Sequence, residues 1–308
     1  MQKIIPHLWF DKEAAEAAAF YTSVFPESRV THTKKLHNTP SGDCDILGFT
    51  LWNQDFMAIS AGPLFKFNPS VSFIVNFDPL FFGSGAEAEQ AARAAVDKAW
   101  ARLMEGGQAL MPLDSYPFSK HYGWVQDKYG LSWQLMLTDP TGDPRPSIMP
   151  MLMFTGGKAG KAEEAMHFYL SVFKESQPGA LHKHPAGNPV DKEGTLMFAD
   201  FRLEDRWFAI MDSAYPHGFD FNEAISFLVQ CSDQAEIDDY WEKLSAVPAA
   251  EQCGWLKDKY GLSWQITSAE MQEAMRNGTQ EQIDRISKVF LKMKKIDIGE
   301  LKKAVASR

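Results

Sequence analysis

YGWVQDKYGLSWQL, Tyr122–Leu135, returns later in the chain as CGWLKDKYGLSWQI, Cys253–Ile266, with ten of the fourteen positions identical. The central Asp-Lys-Tyr-Gly reads as a hairpin turn. Asp can bond the turn backbone and Gly can take a positive φ. The flanking residues then form two antiparallel strands. Side chains alternate along a strand, so Ser132, Gln134 and Met136 share one face, and Leu131, Trp133 and Leu135 share the other. The same division holds for Ser263, Gln265 and Trp264 in the second copy.

The repeat extends outward from this phrase. EAAEAAAFYTSVF (13–25) matches KAEEAMHFYLSVF (161–173) at an offset of 148, and NPSVSFIV (68–75) matches NEAISFLV (222–229) at an offset of 154. Order is kept while offsets drift, the mark of a tandem duplication with insertions and deletions. The expected units are 1–140 and 148–268, followed by a C-terminal segment, 269–308. Between the units lies TDPTGDPRPS (138–147), a linker by its Pro, Gly and Asp content. The offset falls from 154 to 131 between the SFIV strand and the GW phrase, so the first unit is 23 residues longer there. Those residues, around DPLFFGSGAEAEQ and GGQALMPLDSYPFSK, are expected to form two long loops. Loops on a rigid scaffold carry function, which favours the first unit as the active one.

Each unit reads as strand, helix, three strands, given twice: a βαβββ module four times per chain. IIPHLWF and VSFIVNF are strands. EAAEAAAFYTSVF is an amphipathic helix with Ala17, Phe20, Tyr21 and Val24 on its apolar stripe. DILGFTLWNQDFMAIS is a hairpin whose turn is expected at Asn53-Gln54-Asp55. AEQAARAAVDKAWARLME is a helix stopped by Gly106-Gly107. Beyond Ser268 the chain is expected to be helical. Residues 288–308 carry seven Lys/Arg against two acids, read as a solvated basic face or a docking segment.

Composition excludes several functions. The 308 residues carry a net charge of −9, opposite to the basic face of a nucleic-acid binder. The three cysteines form no CxxC pair, which predicts free thiols and a reducing, cytoplasmic setting. No signal peptide or membrane span is expected.

PHLWFDKEAAEAAAFYTSVFPES, SFLVQCSDQAEIDDYWEKL, GWVQDKYGLSWQ and the tail VFLKMKKIDIGELKKA together resemble the vicinal oxygen chelate superfamily. They are most similar to its PhnB-like, or "3-demethylubiquinone-9 3-methyltransferase domain", family, and the likeness covers nearly the whole chain. It implies an α+β fold: four βαβββ modules forming two curved-sheet, glyoxalase-like domains, plus a C-terminal helical tail. In relatives two chains supply paired modules, so a homodimer, or a pseudo-dimer within this one chain, is expected. Methyl transfer from S-adenosylmethionine on a Rossmann sheet needs a Gly-rich turn after the first strand. The only candidate, Phe82-Gly83-Ser84-Gly85, lacks the third glycine.

The resemblance also implies where a metal would sit: His or Gln from one strand and Glu from another. The glutamate position aligns with Gln134 and Gln265, and the histidine position with Ile5 or His7 in one unit and Met149 or Met151 in the other. An amide is a weaker ligand than a carboxylate, so no metal ligand and no cofactor is assigned, a divalent metal being the alternative. Asp212 ends a strand, with Ala61 as its expected counterpart. Cys44 lies between two acids, which disfavours a thiolate. His182 and His184 form LHKHP in a loop without a third ligand and are read as exposed.

The leading expectation is a small-molecule binding protein with an aromatic cavity in the N-terminal unit, lined by His7, Trp9, Tyr116, Phe118, His121 and Gln134, with Ser132 and Gln265 also facing a cavity. The alternatives are a metal-dependent lyase, isomerase or dioxygenase on an oxygenated substrate, and a non-catalytic structural or interaction protein whose cavities are filled by side chains. The sequence leaves enzyme activity open.

Overall fold

The computed structural model describes residues 2–306. The first two modules are β1 (Ile4–Phe10), α1 (Ala14–Val24), β2 (Arg29–Thr39), β3 (Gly42–Leu51), β4 (Gln54–Ser60), then β5 (Val71–Phe77), α2 (Ala86–Leu103), β6 (Gln108–Tyr116), β7 (Ser119–Gln126), β8 (Ser132–Leu137). The third is β9 (Ile148–Phe154), α3 (Ala162–Val172), β10 (Ser176–Lys183), β11 (Leu196–Leu203) and β12 (Arg206–Asp212). The fourth has one strand fewer: β13 (Ile225–Cys231), α4 (Gln234–Leu244), β14 (Trp255–Lys257) and β15 (Ser263–Ser268). Three helices close the chain: α5 (Ala269–Asn277), α6 (Gln280–Phe290) and α7 (Ile298–Ala306).

The modules assemble across the two repeats. The seven-stranded sheet A has the order β14-β15-β13-β1-β4-β3-β2, and the eight-stranded sheet B the order β10-β11-β12-β9-β5-β8-β7-β6. The first module thus joins the fourth through the antiparallel pair β1–β13, with His7 opposite Ser226. The second joins the third through β5–β9, with Ser72 opposite Met151. α1 and α4 pack on one face of sheet A, and α2 and α3 on one face of sheet B. These helix-bearing faces share the main core, where Phe56 meets Phe73 and Phe208 meets Phe227, each at 5.1 Å between ring centroids. The opposite, inner face of each sheet is the one that can line a site.

The duplicated phrase is built around a buried carboxylate. Asp127 Oδ1 accepts the backbone N–H of Tyr129 (2.9 Å) and Leu131 (3.0 Å), and its Oδ2 accepts the Trp133 indole N–H (2.9 Å). Asp258 does the same for Tyr260, Leu262 and Trp264, and also accepts the Tyr169 hydroxyl at 2.9 Å. Gly130 and Gly261 take φ of +88° and +83° to complete the turns. Trp133 is fully buried against Tyr21 and Phe25 beside α1.

Two expectations about loops are corrected. Within GGQALMPLDSYPFSK the short strand expected at QALMPL extends to Tyr116 as β6, an edge strand with three register shifts against β7, so less of the stretch is loop, and the fourth module lacks its equivalent. The turn between β3 and β4 is Trp52-Asn53, both at positive φ (43° and 64°), one step earlier than expected. A turn with two positive-φ residues matches the twist of a tight hairpin.

The tail supplies what sheet A lacks. Cys253 and Gly254, leading into β14, donate to the carbonyls of Met293 and Lys294 at 2.8 and 2.7 Å, at the edge that β6 occupies in sheet B. α5 runs from β15 to β2 over the inner face of sheet A. At one end Met271 meets Thr267, and at the other Lys34 Nζ donates to Gly278 O at 2.9 Å. α6 then packs on β2, with His37 bonded to Asp284 at 3.0 Å. Among the described residues, no helix is long and apolar enough to cross a membrane.

Candidate functional site

The six residues expected to line one cavity, His7, Trp9, Tyr116, Phe118, His121 and Gln134, are not brought together. His7 and Trp9 lie on β1 in sheet A, whereas Tyr116, Phe118, Ser132 and Gln134 belong to sheet B. The expected single pocket in the N-terminal unit is therefore divided, because that unit contributes its halves to different sheets. Gln265 joins His7 and Trp9 in sheet A. His121 leaves the site altogether: its Nε2 meets Asp97 on α2 at 2.6 Å, on the helix-bearing side. Alternation along β7 explains this, since Tyr122 and Trp124 point to the inner face and His121 to the other.

On the inner face of sheet B the polar groups form a chain. The Tyr122 hydroxyl donates to Gln134 Oε1 (2.7 Å), Gln134 Nε2 donates to Ser72 Oγ (2.9 Å), and Trp124 Nε1 donates to Ser132 Oγ (2.8 Å). All but the half-buried Trp124 are buried. Burial pushes the Tyr122 phenol up, so it stays a neutral donor. Around this floor lie Ile74, Met149, Met151 and Ala209, with half-buried Met136, Phe198, Trp207 and Met211. Tyr116, Phe118 and Tyr122 form an aromatic rim, with ring centroids 5.7 Å apart for Tyr116–Phe118 and 4.9 Å for Phe118–Tyr122. Phe118 is 61% exposed. On the far wall the linker residue Arg145 stacks over Trp207 at 4.0 Å and binds Asp200 at 2.7 and 3.3 Å.

Sheet A repeats the floor beneath α5. Gln265 Nε2 donates to Ser226 Oγ at 2.9 Å, and Trp9 Nε1 donates to Gly62 O at 2.8 Å. His7 is buried without a partner at Nδ1, and burial lowers its pKa to about 4, so the ring is neutral near pH 7.

The remaining candidates resolve into scaffold. Asp212 accepts the N–H groups of Gly160 (2.7 Å), Ala162 (3.0 Å) and Leu196 (3.0 Å), a start to α3. Its counterpart is Ser60, not Ala61: β1 and β9 pair with them identically, and Ser60 Oγ accepts Ala14 N at 3.2 Å. His184 is buried rather than exposed, beside Asn188. Among the described residues, no three His, Cys, Asp or Glu side chains lie together as a metal would need.

Ser72, Tyr122, Trp124, Trp207, Arg145 and Trp255 were not among the predicted residues. For the first three a signal existed: each lies on a repeated strand, on the same face as Gln134 or beside it.

The paired sheets, each with helices on one face only, define a glyoxalase-like, vicinal oxygen chelate fold. Glyoxalase I from Zea mays superposes with a TM-score of 0.54 at 9% identity, over 90% of this chain and 98% of that one. Residues 2–136 and 146–267 match the model of the 3-demethylubiquinone-9 3-methyltransferase family, and the chain belongs to that family. A putative 3-demethylubiquinone-9 3-methyltransferase, a PhnB protein from Bacillus cereus, is 37% identical over 44% of this chain and 100% of that one, with a TM-score of 0.37. No curated protein matches the chain.

Proposed function

We propose that the inner face of sheet B binds a small, largely apolar molecule carrying one neutral oxygen, such as an aromatic ketone. The observation that carries this is the contrast between the faces. α5 bridges β15 and β2 across that of sheet A, whereas among the described residues sheet B carries no such helix and presents half-buried Trp124, Met136, Trp207 and Met211 around a polar floor. Gln134 Nε2 and the Ser72 and Ser132 hydroxyls each keep hydrogen-bonding capacity beyond the bonds they make. Methionine walls are adaptable and admit ligands of varied shape. The ligand would be held by the floor at its oxygen and by the Tyr116–Phe118 rim at its ring.

Met149 and Met151, both buried on the floor, favour a second reading, in which the cleft is filled by its own side chains and the protein is structural. Acetophenone separates the two when titrated while tryptophan fluorescence is followed. Saturable quenching that Gln134→Ala weakens about tenfold, and Gln265→Ala leaves unchanged, supports binding. No saturable response in the wild-type protein refutes it.

A further inference from the structure

The two sheets carry the same four residues at matching places, and a fifth place beside them differs. Trp255, Ser263 and Gln265 stand where Trp124, Ser132 and Gln134 stand, Ser226 where Ser72 does, and His7 where Met151 does. The amide–hydroxyl bond is kept at 2.9 Å in both sheets. The indole bond is not. Trp124 donates to Ser132 at 2.8 Å, but Trp255 instead stands edge-on to His7, 5.7 Å between ring centroids, and to Trp9, 6.2 Å.

That displacement leaves Ser263 Oγ without a partner, and His7 Nδ1 beside the indole is buried without one as well. Ser263 is 0% and His7 5% exposed. Register places both on one row of the inner face, His7 opposite Ser226 and Ser226 opposite Ser263. A buried, unsatisfied hydroxyl or ring nitrogen destabilises a fold, and native structures hold few of them. Sheet B shows an indole placement that satisfies the serine. The ring that would do so in sheet A is instead packed against the histidine.

We infer that Trp255 is a two-position gate over a second small-molecule site in sheet A, one that takes a phenol-sized neutral ring bearing a hydroxyl. In the closed position the indole lies against His7 and Trp9. In the open position it donates to Ser263 Oγ, as Trp124 does to Ser132, and vacates the space beside His7. The ligand ring takes that space, and its O–H donates to the unprotonated nitrogen of the neutral imidazole. The ligand binds only the open position, so its presence shifts the indole population toward Ser263. This site does not depend on the reading of sheet B.

The test uses the full chain labelled with 15N at its nine tryptophan indoles, with the Trp255 signal assigned through Trp255→Phe. Phenol is the probe. The expected result is a saturable shift of the Trp255 N–H signal. Ser263→Ala should weaken the apparent affinity about fivefold, close to the loss of one hydrogen bond, and His7→Met should abolish the shift. Ser132→Ala should leave the Trp255 titration unchanged. Ser263→Ala removes a hydroxyl that bonds nothing in the closed position, so it should fold and be at least as stable as wild type. A Trp255 signal unmoved by phenol, or a phenol affinity unaffected by Ser263→Ala, overturns the proposal. So does destabilisation by Ser263→Ala, which would mean a buried water already satisfies the serine.

Discussion

Asp127 and Trp133, six positions apart, are tied by a 2.9 Å bond from the indole N–H to the carboxylate, both side chains being buried. The same carboxylate closes the turn at Tyr129 and Leu131. One side chain thereby fixes both the hairpin and the aromatic residue that anchors it beneath α1. Burial pushes the Asp127 carboxyl up, and the Trp133 N–H and the other donors around it pull it back down.

Replacing Asp127 with Asn should therefore cost about 2–4 kcal/mol. An amide NH₂ would face the donors that the second carboxylate oxygen now accepts, leaving a buried donor unmatched. Asp258→Asn should cost a comparable amount, because the same turn N–H groups and indole donate to that carboxylate. Urea unfolding midpoints measure both. Equal stability of Asp127→Asn and wild type would contradict this account.

His7 gives sheet A a pH dependence. Its folded-state pKa is about 4, below the unfolded value of 6.5. Below pH 6.5 the unfolded chain therefore binds more protons than the folded one, and stability falls as pH drops from 6.5 to 4 and then levels. The loss is on the order of 3 kcal/mol. His7→Met, which copies the residue at the matching place in sheet B, should flatten that part of the stability–pH curve. Thermal unfolding from pH 7.5 to 4 checks it.

Arg145 reaches from the linker to sheet B and makes a planar stack and a fork at once. Arg145→Ala should cost about 2–4 kcal/mol, since it strands the buried Asp200 carboxylate. Arg145→Lys should restore little, because an ammonium neither stacks nor forks. Arg145→Ala combined with Asp200→Ala should recover part of the loss, and a double-mutant cycle reads the coupling.

The tail is predicted to hold sheet A closed. Ile286 of α6 is 1% exposed, and Ile286→Ala should cost about 2–4 kcal/mol. Amide exchange should rise in β2 and α5, which the tail spans, and stay unchanged in β10 and β11. Uniform acceleration across the molecule would instead mean that the tail and both sheets open together.

The sequence made some of this architecture readable and hid the rest. Local signals worked where chemistry is local: the Asp-Lys-Tyr-Gly turn, the apolar stripe of α1, and the face shared by Ser132 and Gln134 all follow from neighbours a few residues away. Pairing of β1 with β13 spans more than two hundred positions and leaves no local mark, so His7 was grouped with Gln134 although they lie in different sheets. β6 was legible only as the short stretch QALMPL, because the Asp, Ser and Pro residues that follow suit an irregular edge strand as well as a loop. His121 was assigned to the cavity by residue type, yet alternation from Tyr122 already directed it toward α2. The tail read as helical, but nothing in its composition says which face of which sheet it covers.

Because each sheet takes one half from each repeat, the duplicated units are interlaced rather than strung side by side. A proteolytic nick within residues 138–147 would leave the pieces joined by both sheets. The covalent link also frees the chain from symmetry. In an assembly of identical subunits every change to one cleft is imposed on the other. Here one cleft carries His7 and a helix across it while its twin carries methionine and a full edge strand, so each can change without altering the other.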